Sequence, residues 1–78
     1  MKDINKEIII DAEFDLICEY VKLRNNSNMS QRDIAKKVGV AQSTIARMEK
    51  NLHSISLGIF VKMLSVLDSE LKITKKKN

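Results

Sequence analysis

Residues 30–51 read SQRDIAKKVGVAQSTIARMEKN, and the shape of the chain follows from this stretch. Ser30 is a favoured helix N-cap, and Asp33 three residues later stands where the acidic member of a capping box stands, so a helix is expected from Gln31 to about Val38. Gly39 stops it. A further helix is expected from about Gln42 to Lys50, with Asn51 closing it. Two short helices joined so tightly pack closely only if a small residue lies where they cross and a glycine-like residue lies in the turn, and Ala35 and Gly39 meet those two demands. Ile34, Val38, Val40, Ile45 and Met48 fall on faces that must be apolar, whereas Arg32, Lys36, Lys37, Arg47 and Lys50 fall on exposed ones. An ordinary helical hairpin also accommodates Ala35 and Gly39. What sets this stretch apart is the polar start of its last helix, Gln42-Ser43-Thr44, with Ala46 and Arg47 on the same side and apolar Ile45 and Met48 on the other.

On the N-terminal side, Phe14, Leu16, Ile17, Tyr20, Val21 and Leu23 recur at helical spacing, which predicts a first helix from about Ala12 to Asn25. Asp11 is its expected cap, and Asn28 is its expected left-handed terminator. The β-branched run Ile8-Ile9-Ile10 reads equally as a strand or as an arm packed on another surface. On the C-terminal side, Ser56 caps an expected fourth helix from Leu57 to about Leu67, with Leu57, Phe60, Val61, Leu64 and Leu67 on its apolar face. Beyond it Leu71 and Ile73 alternate with Lys72 and Thr74, the period of a short strand, before the basic tail Lys75-Lys76-Lys77. A lone strand cannot satisfy its own backbone groups, so this one needs a mate. The expected organisation is one domain over residues 1–78: an N-terminal arm (1–11), a helical core (12–67), and a strand with a basic tail (70–78).

Composition supports a helical domain, since none of the 78 residues is a proline able to break a helix. A single core of this size is marginal alone, so a partner subunit is expected. Charge is uneven. Residues 1–29 carry four basic and six acidic side chains, residues 30–50 five and two, and residues 51–78 five and two. The basic excess begins where the decisive stretch begins, and a polyanion is the natural partner for such a surface. The one cysteine, Cys18, cannot form an internal disulfide and sits in an apolar helical stretch as a small hydrophobe. His53 has no Cys, Asp or Glu neighbours at metal-ligand spacing, so it reads as a loop histidine, and neither a metal nor another cofactor is expected. No nucleophile and base pairing, glycine-rich phosphate loop or carboxylate pair is discernible, so an enzyme is not expected. No apolar run approaches the roughly 18 residues of a membrane span, and the expected location is the cytoplasm, with no membrane partner.

The string SQRDIAKKVGVAQSTIARMEKN, within a span from about Leu16 to Leu67, resembles the Cro and lambda-repressor helix-turn-helix family, also called XRE. It carries that family's SQ opening, small residue, turn glycine, STI step and R-x-E close. The resemblance implies an all-α, lambda-repressor-like helix-turn-helix domain of four to five helices, to which the alternation noted above adds the short C-terminal β-strand. It also implies a recognition helix whose first residues meet base edges in a major groove. Glutamine pairs bidentately with adenine and arginine with guanine, so these roles carry over to Gln42, Ser43 and Arg47. Thr44 then touches phosphate or braces the turn, and Ala46 permits close approach or meets a thymine methyl. Gln31 takes the family's role of contacting phosphate and bracing the first recognition residue, or is a solvated helix-start glutamine. Arg32, Lys36, Lys37 and Lys50 are candidate phosphate contacts, each of which reads as well as solvated surface. Arg24 and Glu49 match positions that the family joins by a partly buried ion pair. Ala41 departs from the family's usual Ser or Thr cap of the recognition helix.

The EFDLI-like opening and the LxI segment after the fourth helix resemble HigA-type and HipB-type antitoxins. This implies a homodimer on a palindromic operator in double-stranded DNA, with Leu71 and Ile73 at the dimer seam, and a RelE/HigB-like toxin as a protein partner. The acidic first segment is equally a surface for a basic toxin and a solvated helix face. A stand-alone repressor without a toxin is the other reading.

Overall fold

The computed structural model describes residues 6–52 and 54–75, with side chains from Ala12 onward. His53, the first five residues of the expected arm, and Lys76 and Lys77 of the basic tail lie outside the described residues. Four helices make up the described residues: α1 (Lys6–Asn26), α2 (Gln31–Val38), α3 (Gln42–Glu49) and α4 (Leu57–Val66). α2 packs against both α3 and α4, and α1 packs against α3. Tyr20, Ile34, Ile45, Met48 and Met63 are fully buried where they meet. The rings of Tyr20 and Phe60 join α1 to α4 at a centroid distance of 6.2 Å and a tilt of 56°, within the range that aromatic pairs favour.

The helix starts follow the local chemistry. The Ser30 hydroxyl accepts the Asp33 N–H at 3.0 Å while the Asp33 carboxylate accepts the Ser30 N–H at 3.0 Å, a complete capping box that satisfies two orphan donors. Hydrogen bonding of the carboxyl to Ser30, through its backbone first and its side chain second, holds Asp33 below its ordinary value of 3.8. Ser56 caps α4 through the Ile59 N–H at 3.2 Å. Ala41 offers α3 no side-chain cap.

All four helices end in the same way. A residue with positive φ follows each one: Asn28 (56°), Gly39 (86°), Asn51 (60°) and Asp68 (56°). The next N–H then turns back to a carbonyl of the last turn: Met29 to Arg24 at 3.3 Å, Val40 to Ala35 at 3.0 Å, Leu52 to Arg47 at 2.9 Å and Ser69 to Leu64 at 2.8 Å. This closure satisfies carbonyls that a helix end leaves free. Glycine adopts that backbone without a Cβ penalty, and asparagine tolerates it better than most residues, which explains the residue types at three of the four ends.

Two expectations are corrected. α1 starts at Lys6, not near Ala12, so Ile8–Ile10 belong to a helix and Asp11 is not its cap. Extending a formed helix costs far less than starting one, and nothing from Lys6 to Asn26 interrupts it: the isoleucines lower helix propensity by only a few tenths of a kcal/mol each. The terminal strand over Leu71–Thr74 does not form. Among the described residues there is no strand, and residues 69–75 carry no regular structure. A single chain provides no mate for the backbone groups of that segment, and alternation alone does not supply one. Over the described residues the fold is therefore all-α, with four helices. Within it, the apolar periodicity overstated burial: Phe14, Leu16, Leu57 and Val61 are exposed, while Met63 completes the core face of α4.

Candidate nucleic-acid interface

α3 is two-sided. Ile45 and Met48 are buried against the other helices, and the opposite side turns outward with Gln42, Ser43 and Arg47 exposed and Thr44 and Ala46 half-buried. Gln42 and Ala46, and likewise Ser43 and Arg47, are four residues apart and so lie one above the other on the helix surface. With no side-chain cap at Ala41, the first amides of α3 keep their donors for an anion or for water. On α2, Arg32, Lys36 and Lys37 are exposed, as is Lys50 just after α3. Leu71 and Ile73 are exposed as well, Ile73 fully so.

What holds α3 at its angle is a charged node at its C-terminal end. Arg24 of α1 grips Glu49 with a two-pronged pair, Nε to Oε2 at 2.7 Å and Nη2 to Oε1 at 2.7 Å. The third guanidinium nitrogen donates to the Met29 carbonyl at 3.0 Å. Their side chains are only 13% and 7% exposed, respectively, so this pair is mostly withdrawn from water. Hydrogen bonding to Glu49 raises the affinity of Arg24 for its proton. Gln31, at the start of α2, donates its amide to Glu49 Oε1 at 3.1 Å. One carboxylate thus joins the end of α1, the beginning of α2 and the end of α3. The buried Tyr20 hydroxyl lies beside this node, and desolvation, followed by the negative charge of Glu49, pushes its pKa well up, so it stays neutral.

The Arg24–Glu49 tie was legible beforehand through resemblance. The bond from Gln31 to Glu49 was not, because the two residues are 18 apart in sequence and no local pattern joins them. Its Nε2 has two N–H groups, and one is committed to Glu49. Among the described residues no group of three or more His, Cys, Asp or Glu side chains is placed to hold a metal. No helix among them is long and apolar enough to cross a membrane.

A compact set of helices whose third member shows a polar, basic-flanked edge over an apolar back defines the class of helix-turn-helix proteins. A profile described as Helix-turn-helix matches residues 22–73, and the chain belongs to that family. Among characterised proteins it is similar to antitoxin HipB of Escherichia coli O6:H1 (strain CFT073), 34% identical over 56 residues covering 72% of this chain and 60% of that protein. Antitoxin HipB of Escherichia coli K12 is 32% identical over 56 residues, covering 72% of this chain and 64% of the relative. The chain thus spans less than two thirds of the length of these curated relatives. Among solved structures it resembles a toxin-antitoxin module from Streptococcus pneumoniae, with a TM-score of 0.69, 30% identity, and coverage of 95% of this chain and 84% of the other. The resemblance to HipB-type antitoxins that the short strings implied is present in sequence, and the fold resembles that of a toxin-antitoxin module.

Proposed function

We propose that the chain is a sequence-specific DNA-binding repressor that also acts as the antitoxin of a type II toxin-antitoxin pair and regulates its own operon. The observation that carries the DNA part is the division of α3 into a buried side, Ile45 and Met48, and an exposed polar side, Gln42, Ser43 and Arg47. In this reading those three side chains meet base edges, Ala46 lets the helix approach, and Thr44 meets phosphate or braces the turn. Arg32, Lys36, Lys37 and Lys50 neutralise phosphates, and the second N–H of Gln31 does the same while its first stays on Glu49. Two copies then read an inverted repeat in double-stranded DNA, with Leu71 and Ile73 on the side where the copies meet.

The antitoxin part rests on likeness to two HipB antitoxins and to the Streptococcus pneumoniae module. Those relatives lend no support to the finer expectation of a RelE/HigB-like toxin, and the proposal stops at a toxin protein encoded beside the chain. Selection of bound sites from random DNA by the purified protein tests the first part, and an enriched inverted repeat is expected. Co-expression with the neighbouring reading frame tests the second, and a stable complex is expected. Enriched DNA with no retained partner would favour a stand-alone repressor, and no enrichment at all would reject the DNA reading.

A further inference from the structure

Gln31 is tied down at both of its ends. Its backbone opens α2 directly after the Ser30 cap, whose two bonds with Asp33 fix that turn. Its side-chain Nε2 donates to Glu49 Oε1 at 3.1 Å. A carboxylate only accepts hydrogen bonds, whereas a glutamine amide carries a donor nitrogen and an acceptor oxygen that exchange places by a half-turn of the side chain. Glu49 therefore permits one of those two orders, with the nitrogen toward the carboxylate and the oxygen away from it. We infer that Glu49 is a positioning residue for DNA binding, holding the Gln31 amide in the order that presents an N–H to phosphate while itself meeting no DNA. The inference rests on the phosphate contact proposed for Gln31 above and adds the residue that sets its geometry.

Two features make Glu49 a fixed reference for that amide. Arg24 holds both of its oxygens, Nε on Oε2 and Nη2 on Oε1, each at 2.7 Å, and a two-pronged pair of this kind fixes direction as well as distance. The Glu49 side chain is also only 7% exposed, so water competes little for the bond to Gln31. Gln31 itself is half-buried, and among the described residues its side chain makes no hydrogen bond besides the one to Glu49. Its second N–H is thus uncommitted within the chain.

A bond that served only to fasten α2 to α3 would behave differently from one that orients an amide. Loss of a fastening displaces α3 and spoils base reading. Loss of an orienting bond weakens a phosphate contact and leaves base reading intact. Phosphate contacts carry no sequence information, so the two roles separate in their effect on selectivity.

The test uses the full chain carrying Arg24→Met and Glu49→Ala together, a combination that leaves no buried charge behind. Gln31→Ala is made in the unaltered chain and in that combined background. Affinities for the selected operator and for random DNA are measured at one salt concentration, below the unfolding transition of every variant. In the unaltered chain Gln31→Ala is expected to weaken binding to both DNAs by about two- to tenfold, the range for one hydrogen bond. The combined variant is expected to lose about twofold or more on both, with the ratio of operator to random affinity unchanged. In it Gln31→Ala should cost less than in the unaltered chain. Side-chain amide NMR provides a measurement that needs no variant: one Gln31 Nε2 proton is expected to exchange slowly, and addition of DNA should shift the other while the first stays protected. Equal cost of Gln31→Ala in both backgrounds, a collapsed operator-to-random ratio in the combined variant, or loss of the protected proton on DNA binding would each overturn the inference. So would a Gln31→Ala that leaves the affinity of the unaltered chain unchanged. The DNA reading itself fails by a different result, the absence of any enriched site with the unaltered chain.

Discussion

Replacing Glu49 by alanine removes the group on which three helix ends converge, and its cost can be worked from the contacts. The carboxylate accepts two bonds at 2.7 Å from Arg24 and one at 3.1 Å from Gln31, and neither charged side chain is more than 13% exposed. Loss of one member of such a withdrawn pair strands the other with only the Met29 carbonyl for company, for which about 3 kcal/mol is the expected cost. A domain of this length has a total stability on the order of 4–12 kcal/mol, so the variant would lose a quarter or more of it. The melting temperature should fall by about 12–24 °C. Urea unfolding followed by circular dichroism is the assay, on Glu49→Ala, on Arg24→Met and on the two combined. The combined variant is expected to recover much of the loss, because it leaves no buried charge behind. A loss below about 1 kcal/mol in both single variants would refute the argument, since that is what a solvent-screened surface pair contributes.

Gln42→Ala is expected to weaken operator binding by about 1–3 kcal/mol without changing binding to random DNA, whereas Lys36→Ala weakens both and flattens the salt dependence, as titrations at several ionic strengths would show. Ala41→Ser should restore a cap to α3 and raise stability by about 0.5–1 kcal/mol in urea unfolding, provided the hydroxyl meets a first-turn amide. Asp33 has a folded-state pKa depressed below 3.8 by Ser30. Its contribution is therefore fully present above the unfolded value and is lost as pH falls through the lower folded value. Unfolding measured from pH 5 down to pH 2 should show the difference between the unaltered chain and Asp33→Asn shrinking over that interval.

The parts of the fold that were legible in advance are those governed by neighbours in sequence. A hydroxyl before a helix, an acid three residues on, and a glycine or asparagine after the last turn act within one turn of chain, and the ends at Ser30, Asn28, Gly39, Asn51 and Ser56 follow from them. Asp68 escaped notice because aspartate is an unusual left-handed terminator, and the alternation after it pointed to a strand. Period alone cannot tell a strand with a mate from an extended tail without one, and Leu71–Thr74 form no strand. The start of α1 was missed for the converse reason: a capping residue at Asp11 is a signal only where a helix is not already running. In the candidate interface the outward residues of α3 were legible because a two-sided helix announces its faces. The bond from Gln31 to Glu49 depends on a contact between distant segments, which no local pattern records.

The node at Glu49 also links stability to recognition. Its carboxylate fixes Gln31 by one N–H, so the amide is oriented by a residue that is itself withdrawn from water. In the proposed reading, the remaining N–H is the one that would donate to phosphate. Were Gln31 free, the order of its two amide atoms would be decided only on binding, and the entropy of fixing it would be charged against affinity. Because Arg24, Glu49 and Gln31 form one chain of charge-assisted bonds, a change at Arg24 on α1 reaches the start of α2 through two contacts. The edges of α2 and α3 that the proposal turns toward DNA are thus held through Glu49, which in that reading touches no base.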